Sequence, residues 1–132
     1  MNAAELVAAA RALLVEATPA TRGLWSRLAT HLARQALEAA VAEHWDRTSR
    51  GLSSANMRTQ LICLRAYRDD TDVCRQLAWA WSELSDAAHA RGGPPTRADL
   101  DTWLGTIERS LRRAARGAPR EVSAPVDPPA RT

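Results

Sequence analysis

The sequence predicts an all-α fold, an antiparallel bundle of about five helices, and three observations support this. Apolar residues recur at helical spacing along most of the chain, and no window alternates apolar and polar residues long enough for a strand. Proline, glycine and short polar runs separate the periodic segments. The chain has 132 residues, of which 45% are hydrophobic and 25% charged, which is typical of one globular domain.

The first two helices differ in length and in the number of apolar faces. The first is expected over residues 3–17, because the residue before Pro19 avoids helical geometry. The second is expected from Thr21 or Arg22 to about Asp46. Its first apolar stripe consists of Leu24, Trp25, Leu28, Leu32, Ala36 and Ala40, and its second of Leu37, Val41 and Trp45. A helix with two such stripes is covered either within its own bundle or also by another chain, and we assign the second stripe to self-association.

Turn-forming residues separate three further helices. The polar run 47–54 leads into a third helix over 54–67, with a serine as its cap. The run 68–71 breaks that helix, and Asp70 or Thr71 caps a fourth over 72–90. The Gly92-Gly93-Pro94-Pro95 turn ends the fourth helix. Thr96-Arg-Ala-Asp99 then resembles a capping box and begins a fifth helix.

The domain organisation follows from composition. Residues 1–116 are expected to form the bundle, and residues 117–132 a disordered tail, because four prolines fall in this segment with little apolar bulk. No apolar run approaches the roughly 18 residues of a membrane span, and the N-terminus lacks a basic region followed by a hydrophobic block. We therefore expect a soluble, cytoplasmic protein with no membrane contact.

Charge is mildly positive and concentrated near the end of the fifth helix. All 18 basic residues are arginine, against 15 acidic residues, for a net charge of +3. The last two turns of the helix carry Arg109, Arg112, Arg113 and Arg116. Two interpretations stay open: the cations complement the negative end of the helix dipole, or they form a phosphate-contacting patch for RNA or DNA.

Besides Trp45 of the second apolar stripe, the other four of the five tryptophans divide into two groups. The helical stripes predict Trp25, Trp81 and Trp103 as core residues. Trp79 instead falls on the polar side of the fourth helix. A large aromatic residue there predicts either a partner-binding surface or cover by a neighbouring helix or the tail.

The residues typical of many enzyme sites are missing from the sequence. It contains no GxSxG elbow, no phosphate-binding glycine loop, no CxxC and no Cys/His cluster, so we expect no cofactor and no metal. Cys63 and Cys74 are interpreted as buried thiols. Of His31, His44 and His89, none can be joined to a catalytic partner by spacing.

Two segments resemble HEPN domains, which are small helical bundles common in prokaryotic toxin–antitoxin and phage-defence loci. The first is LATHLARQALEAAV at 28–41, and the second is LSDAAHA at 84–90 with the Gly/Pro turn and capped helix after it. Taken in order, the resemblance spans about residues 3–115. It implies a bundle of four or five helices that dimerises.

In active members of that family, the resemblance implies a metal-independent ribonuclease with an arginine separated from a histidine by four to six intervening residues. The histidine would act as acid or base while the arginine stabilises phosphate charge. In this chain the corresponding positions before His89 hold Leu84, Glu83 and Ser82, and those before His31 and His44 also lack arginine. The resemblance therefore favours a degenerate member without the nuclease motif, with His89 as the remaining catalytic candidate.

Three functions stay open at the level of sequence. The first is a non-catalytic interaction or regulatory subunit, which forms a homodimer or binds a different protein. Such a subunit would be the neutraliser or scaffold of a defence or toxin–antitoxin pair. The second is a HEPN-type ribonuclease toxin in which His89 acts with an arginine from elsewhere in the dimer. The third is a small nucleic-acid-binding subunit that uses the arginines between 109 and 116.

Overall fold

The computed structural model describes residues 1–48, 50–68, 70–89 and 93–117, and it confirms the all-α class. Within these ranges it contains no strand, and its five α-helices are α1 (Ala3–Val15), α2 (Arg22–Thr48), α3 (Met57–Tyr67), α4 (Thr71–Ala88) and α5 (Arg97–Gly117). Short 3₁₀ turns over Pro19–Thr21 and Arg50–Ser54 join α1 to α2 and α2 to α3. The tail expected to be disordered lies outside the described residues from 118 onward.

Side-chain caps begin three of the helices. Asn2 Oδ1 accepts the Glu5 N–H at 2.8 Å, and Asn56 Oδ1 accepts the Thr59 N–H at 2.9 Å. At α5, Thr96 Oγ1 accepts the Asp99 N–H at 3.1 Å while Asp99 Oδ2 accepts the Thr96 N–H at 3.0 Å. The capping box predicted from the sequence is therefore confirmed.

The helix boundaries differ from the predicted ones by up to three residues, and α4 runs over Thr71–Ala88 instead of 72–90. Helix α1 ends at Val15 instead of residue 17, and Thr18 is already extended because Pro19 follows it. Helix α3 begins at Met57 instead of residue 54. There the buried Gln60 donates to the carbonyls of Ala55 and Ser53, so these carbonyls are bonded without a helical turn.

Helix α2 lies at the centre of the molecule and contacts α1, α3, α4 and α5. Helix α1 runs antiparallel to it, since the Ala3 N–H at the start of α1 donates to Glu43 Oε1 near the end of α2. Arg11 on α1 forms ion pairs with Asp101 and Glu108 on α5. Helices α4 and α5 also run antiparallel, since Gln76 early in α4 meets Arg109 late in α5.

The core contains the second apolar stripe of α2, which corrects one prediction. Leu37, Val41 and Trp45 are at most 2% exposed and belong to the buried cluster of this one chain. The central position of α2 explains its two apolar stripes, so these three side chains leave no surface for self-association. In the described part of the chain, none of the helices has both the length and the apolar character needed to cross a bilayer.

Candidate functional site

An apolar cleft lies between the beginning of α2, the end of α4 and the segment before α5. It has a volume of about 860 Å³. Its apolar and small lining residues are Gly23, Leu24, Leu28, Ala87, Ala88, Gly93, Pro94 and Pro95. This volume lies in the range of ordinary ligand sites.

Two exposed leucines form the α2 side of this cleft. Leu24 is 79% exposed and Leu28 is 51% exposed, and they lie one helical turn apart. They are the only exposed leucines among the described residues. The sequence predicted both leucines in a core stripe, and this prediction is wrong. Helix α1 has 13 residues and α2 has 27, so α1 covers only part of α2 and does not reach these leucines.

Hydrogen bonds fix the opposite wall of the cleft to α2. The buried Ser26 Oγ donates to the Pro95 carbonyl at 2.7 Å, and Arg22 donates to the Pro94 carbonyl at 2.9 Å. Proline restricts the backbone of the same segment. The two prolines are thus held against the first turns of α2, and the cleft has a defined wall.

The polar part of the cleft is basic. Arg27 and His31 line it and are exposed, and no aspartate or glutamate is among the lining residues of the described chain. At helical spacing, Arg27 and His31 follow the same face of α2 as the two leucines. An apolar ligand that also carries negative charge therefore complements this cleft.

The four predicted nucleic-acid-binding arginines lie together on an exposed face of α5. Arg109, Arg112, Arg113 and Arg116 fall within an arc of about 100° around the helix axis. None forms an ion pair with a carboxylate in the part of the chain that the structure describes. The acidic residues Asp101 and Glu108 both bind Arg11 of α1, and Glu108 lies one turn before Arg112 on α5.

Trp79 lies beside this arginine face. Its side chain is 49% exposed on α4, one turn after Gln76. Gln76 Oε1 accepts a hydrogen bond from Arg109 Nη2 at 2.9 Å. The structure thus brings Trp79 close to the α5 arginines. The sequence analysis treated these two features separately, because the pairing of α4 with α5 is a tertiary contact.

The other tryptophans face inward to different extents. Trp103 is buried as predicted, whereas Trp25 and Trp81 are partly buried. Trp25 Nε1 donates to the Thr18 carbonyl at 3.0 Å, and Trp81 Nε1 donates to Glu38 Oε1 at 3.4 Å. Both indoles therefore lie at the edge of the core, where their N–H groups bind polar atoms.

His89 ends α4 as its C-cap, and its side chain is exposed. Its backbone N–H bonds to the carbonyls of the last turn of α4. No described side chain forms a hydrogen bond or an ion pair with its imidazole, and the following residues 90–92 lie outside the described ranges. A catalytic role for His89 stays a prediction.

A cluster of titratable side chains lies where α3 meets α4. Arg68 binds Asp70 in a largely buried ion pair, and Cys74 Sγ lies 3.8 Å from Asp70 Oδ1. Burial and the nearby Arg68 and Arg47 lower the pKa of His44, against the effect of Asp70. The described residues contain no group of three His, Cys, Asp or Glu side chains that could hold a metal ion.

The described residues thus form an all-helical bundle. An apolar cleft lies near the start of α5, and a basic face lies near the end of α5. Comparison of the chain with protein-family models, with curated proteins and with solved structures finds no match. The resemblance to HEPN domains stays a prediction.

Proposed function

We propose that this chain is a non-catalytic interaction subunit that binds an acidic amphipathic helix of a partner protein in the cleft between α2 and α4. The exposure of Leu24 and Leu28 on the cleft wall carries this proposal. Of the large hydrophobic side chains that are exposed among the described residues, only Leu24 and Leu28 line the cleft, where they can contact a ligand.

The chemistry of the cleft specifies the ligand. A helix that inserts apolar residues at i, i+3 or i+4 and i+7 is a common ligand of an apolar groove. Arg27 and His31 on the same wall favour acidic residues beside those anchors, since complementary charge steers and orients association. The resemblance to HEPN domains supports a partner from a toxin–antitoxin or defence pair.

A synthetic helical peptide tests the proposal. The peptide carries leucines at helical spacing and glutamates between them, and a second version replaces each glutamate with lysine. We expect only the acidic version to shift the amide NMR signals of Gly23, Ala88 and Gly93 in the isotopically labelled protein.

Variants with a matched control locate the binding. Leu28→Glu removes an apolar contact and adds repulsion, so it should abolish the shifts. Ile62→Glu makes the same change at an exposed aliphatic residue of α3 and should leave them unchanged. Equal binding of both peptides, or binding that survives Leu28→Glu, would contradict the proposal.

Two further results would replace the proposal with another function. A stable dimer that Leu28→Glu dissociates would show that a second copy occupies the cleft. Metal-independent RNA cleavage that His89→Ala abolishes would support a ribonuclease. Sedimentation velocity and a chelator-treated RNA digestion separate these outcomes.

A further inference from the structure

We propose that the surface formed by Trp79, Gln76 and the α5 arginines binds single-stranded nucleic acid, with a base stacked on Trp79 and phosphates held by the guanidinium groups. This site lies at the end of α5 away from the cleft, and the inference does not depend on the partner helix.

The first step is the distribution of charge on α5. Asp101 and Glu108 both bind Arg11 of α1, which offsets one of their two negative charges. The exposed side carries Arg109, Arg112, Arg113 and Arg116, and none of them pairs with a described carboxylate. A cation interacts favourably with the negative end of a helix dipole only within the last turn. The dipole of α5 therefore explains the presence of Arg116 better than that of Arg109.

The second step is the position of Trp79 at one end of this row. The bond from Arg109 to Gln76 places the first arginine of this row next to the outer face of α4. Trp79 follows Gln76 by one turn, and the exposed Arg75 lies one turn before Trp79. This surface extends from Trp79 at one end to Arg116 at the other, a distance of about 15 Å parallel to the helix axes.

The third step is the balance of charge around Trp79. The acidic residues of the outer face of α4 nearest this surface are Asp72 and Glu83, which lie one turn beyond Gln76 and Trp79 respectively. Five arginines, with Arg75 included, thus oppose three carboxylates when Glu108, one turn before Arg112, is counted with them. The net positive charge favours a polyanion.

The combination of an aromatic residue with a row of arginines selects a single strand. An exposed indole stacks on any unpaired base, whereas the bases of a duplex are already stacked on each other. Guanidinium groups at helical spacing contact successive phosphates without reading sequence. The expected ligand is therefore single-stranded RNA or DNA, bound with little sequence preference.

Fluorescence anisotropy with labelled 12-nucleotide oligo(U), oligo(dT) and a 12-base-pair duplex tests this inference. We expect both single strands to bind more tightly than the duplex. Trp79→Ala should weaken single-strand binding roughly 5- to 150-fold, which corresponds to the loss of one stacked base. Tyr67→Ala, the same kind of change at an exposed aromatic residue of α3, should leave affinity unchanged.

The arginines are tested by the salt dependence of binding. Replacing Arg112, Arg113 and Arg116 with alanine should reduce the slope of log affinity against log salt by about 2, at about 0.7 for each phosphate that the variant no longer neutralises. A control triple variant with alanine at Arg47, Arg58 and Arg65 has the same net charge, and its slope should not change. All three control arginines are exposed on α2 and α3.

Three results would overturn the inference. These are equal or tighter binding of the duplex, unchanged affinity after Trp79→Ala, and an equal loss of slope in both triple variants. Circular dichroism establishes that each variant is folded. Leu28→Glu should leave the binding of single-stranded nucleic acid unchanged. This variant therefore distinguishes failure of the peptide proposal for the cleft from failure of the nucleic-acid proposal for this surface.

Discussion

At the scale of single residues, two ionisable groups with a shifted pKa, Cys74 and His44, lie close to the Arg68–Asp70 ion pair at the junction of α3 and α4. Cys74 is fully buried, and its Sγ lies 3.8 Å from both the Leu64 carbonyl and Asp70 Oδ1. Burial raises the pKa of the Cys74 thiol, and Asp70 adds to this effect against the opposing Arg68. The thiol is therefore held in its neutral form at ordinary pH.

This environment predicts different reactivity for the two cysteines. Cys63 is only partly buried, whereas Cys74 is enclosed and disfavours the thiolate that alkylating reagents need. In native protein at pH 8 we expect iodoacetamide to modify Cys63 first. Peptide mass spectrometry over time measures both, and Cys74 should react readily only in urea. Modification of Cys74 at the rate of Cys63 in folded protein would contradict its enclosure.

His44 predicts a pH dependence of stability. Its pKa in the folded protein lies below the ordinary value of 6.5, because burial and the charges of Arg68 and Arg47 disfavour the imidazolium. Between the lowered pKa and 6.5, the unfolded chain binds more protons than the folded one, so the free energy of unfolding falls as pH decreases through this window. Above this window, His44 contributes no further change.

Urea unfolding at pH 5.5 and 7.5 measures this effect. We expect His44→Gln to reduce the difference in unfolding free energy between the two pH values. His31→Gln serves as the control, because His31 is exposed on the cleft. A pH difference that His44→Gln leaves intact would assign the effect to other groups.

At the scale of the helices, local chemistry determined some boundaries and tertiary contacts determined others. The Thr96–Asp99 box and the effect of Pro19 depend on residues within a few positions, so the sequence predicted them. The start of α3 depends on Gln60, whose amide bonds to carbonyls five and seven residues earlier. No rule of local periodicity indicates that the glutamine is buried.

The capping box gives a prediction at this scale. Thr96→Ala removes the acceptor for the Asp99 N–H at the start of α5 and should lower the free energy of unfolding by about 1 kcal/mol. Thr102→Ala is the control on the same helix. There the hydroxyl donates only to the Ala98 carbonyl one turn earlier, and its loss should cost little. Urea denaturation compares the two variants, and equal losses would contradict a specific role of the cap.

At the scale of the whole molecule, the central position of α2 explains what the sequence could and could not predict. Its two apolar stripes were recognised from periodicity, but the sequence did not determine what covers each stripe. Leu37 is buried by other helices of the chain, while Leu24 and Leu28 extend past the short α1. The contact of Arg109 with Gln76, which completes the second candidate site, likewise depends on how α4 pairs with α5.

The central core predicts the energetic difference between two leucines of α2. Leu37→Ala should lower the free energy of unfolding by about 2–5 kcal/mol, because it leaves a cavity in a packed interior. Leu24→Ala, at a residue that is 79% exposed, should change it by less than about 0.5 kcal/mol. Urea unfolding at two protein concentrations measures both.

The outcome distinguishes a core residue from an interface residue. A loss that is the same at both concentrations assigns Leu37 to the interior of the single chain. A loss that depends on concentration would restore the interface that the sequence suggested for Leu37, Val41 and Trp45.

The length of α5 has a consequence for how many ligands one molecule carries. Its 21 residues span about 31 Å, with Pro94 and Pro95 of the cleft just before its first turn and Arg116 in its last. A peptide in the cleft and an oligonucleotide at the basic end would not collide. If both proposed ligands bind, the protein would hold the two molecules at a set separation, and saturating one site should leave the affinity of the other unaltered.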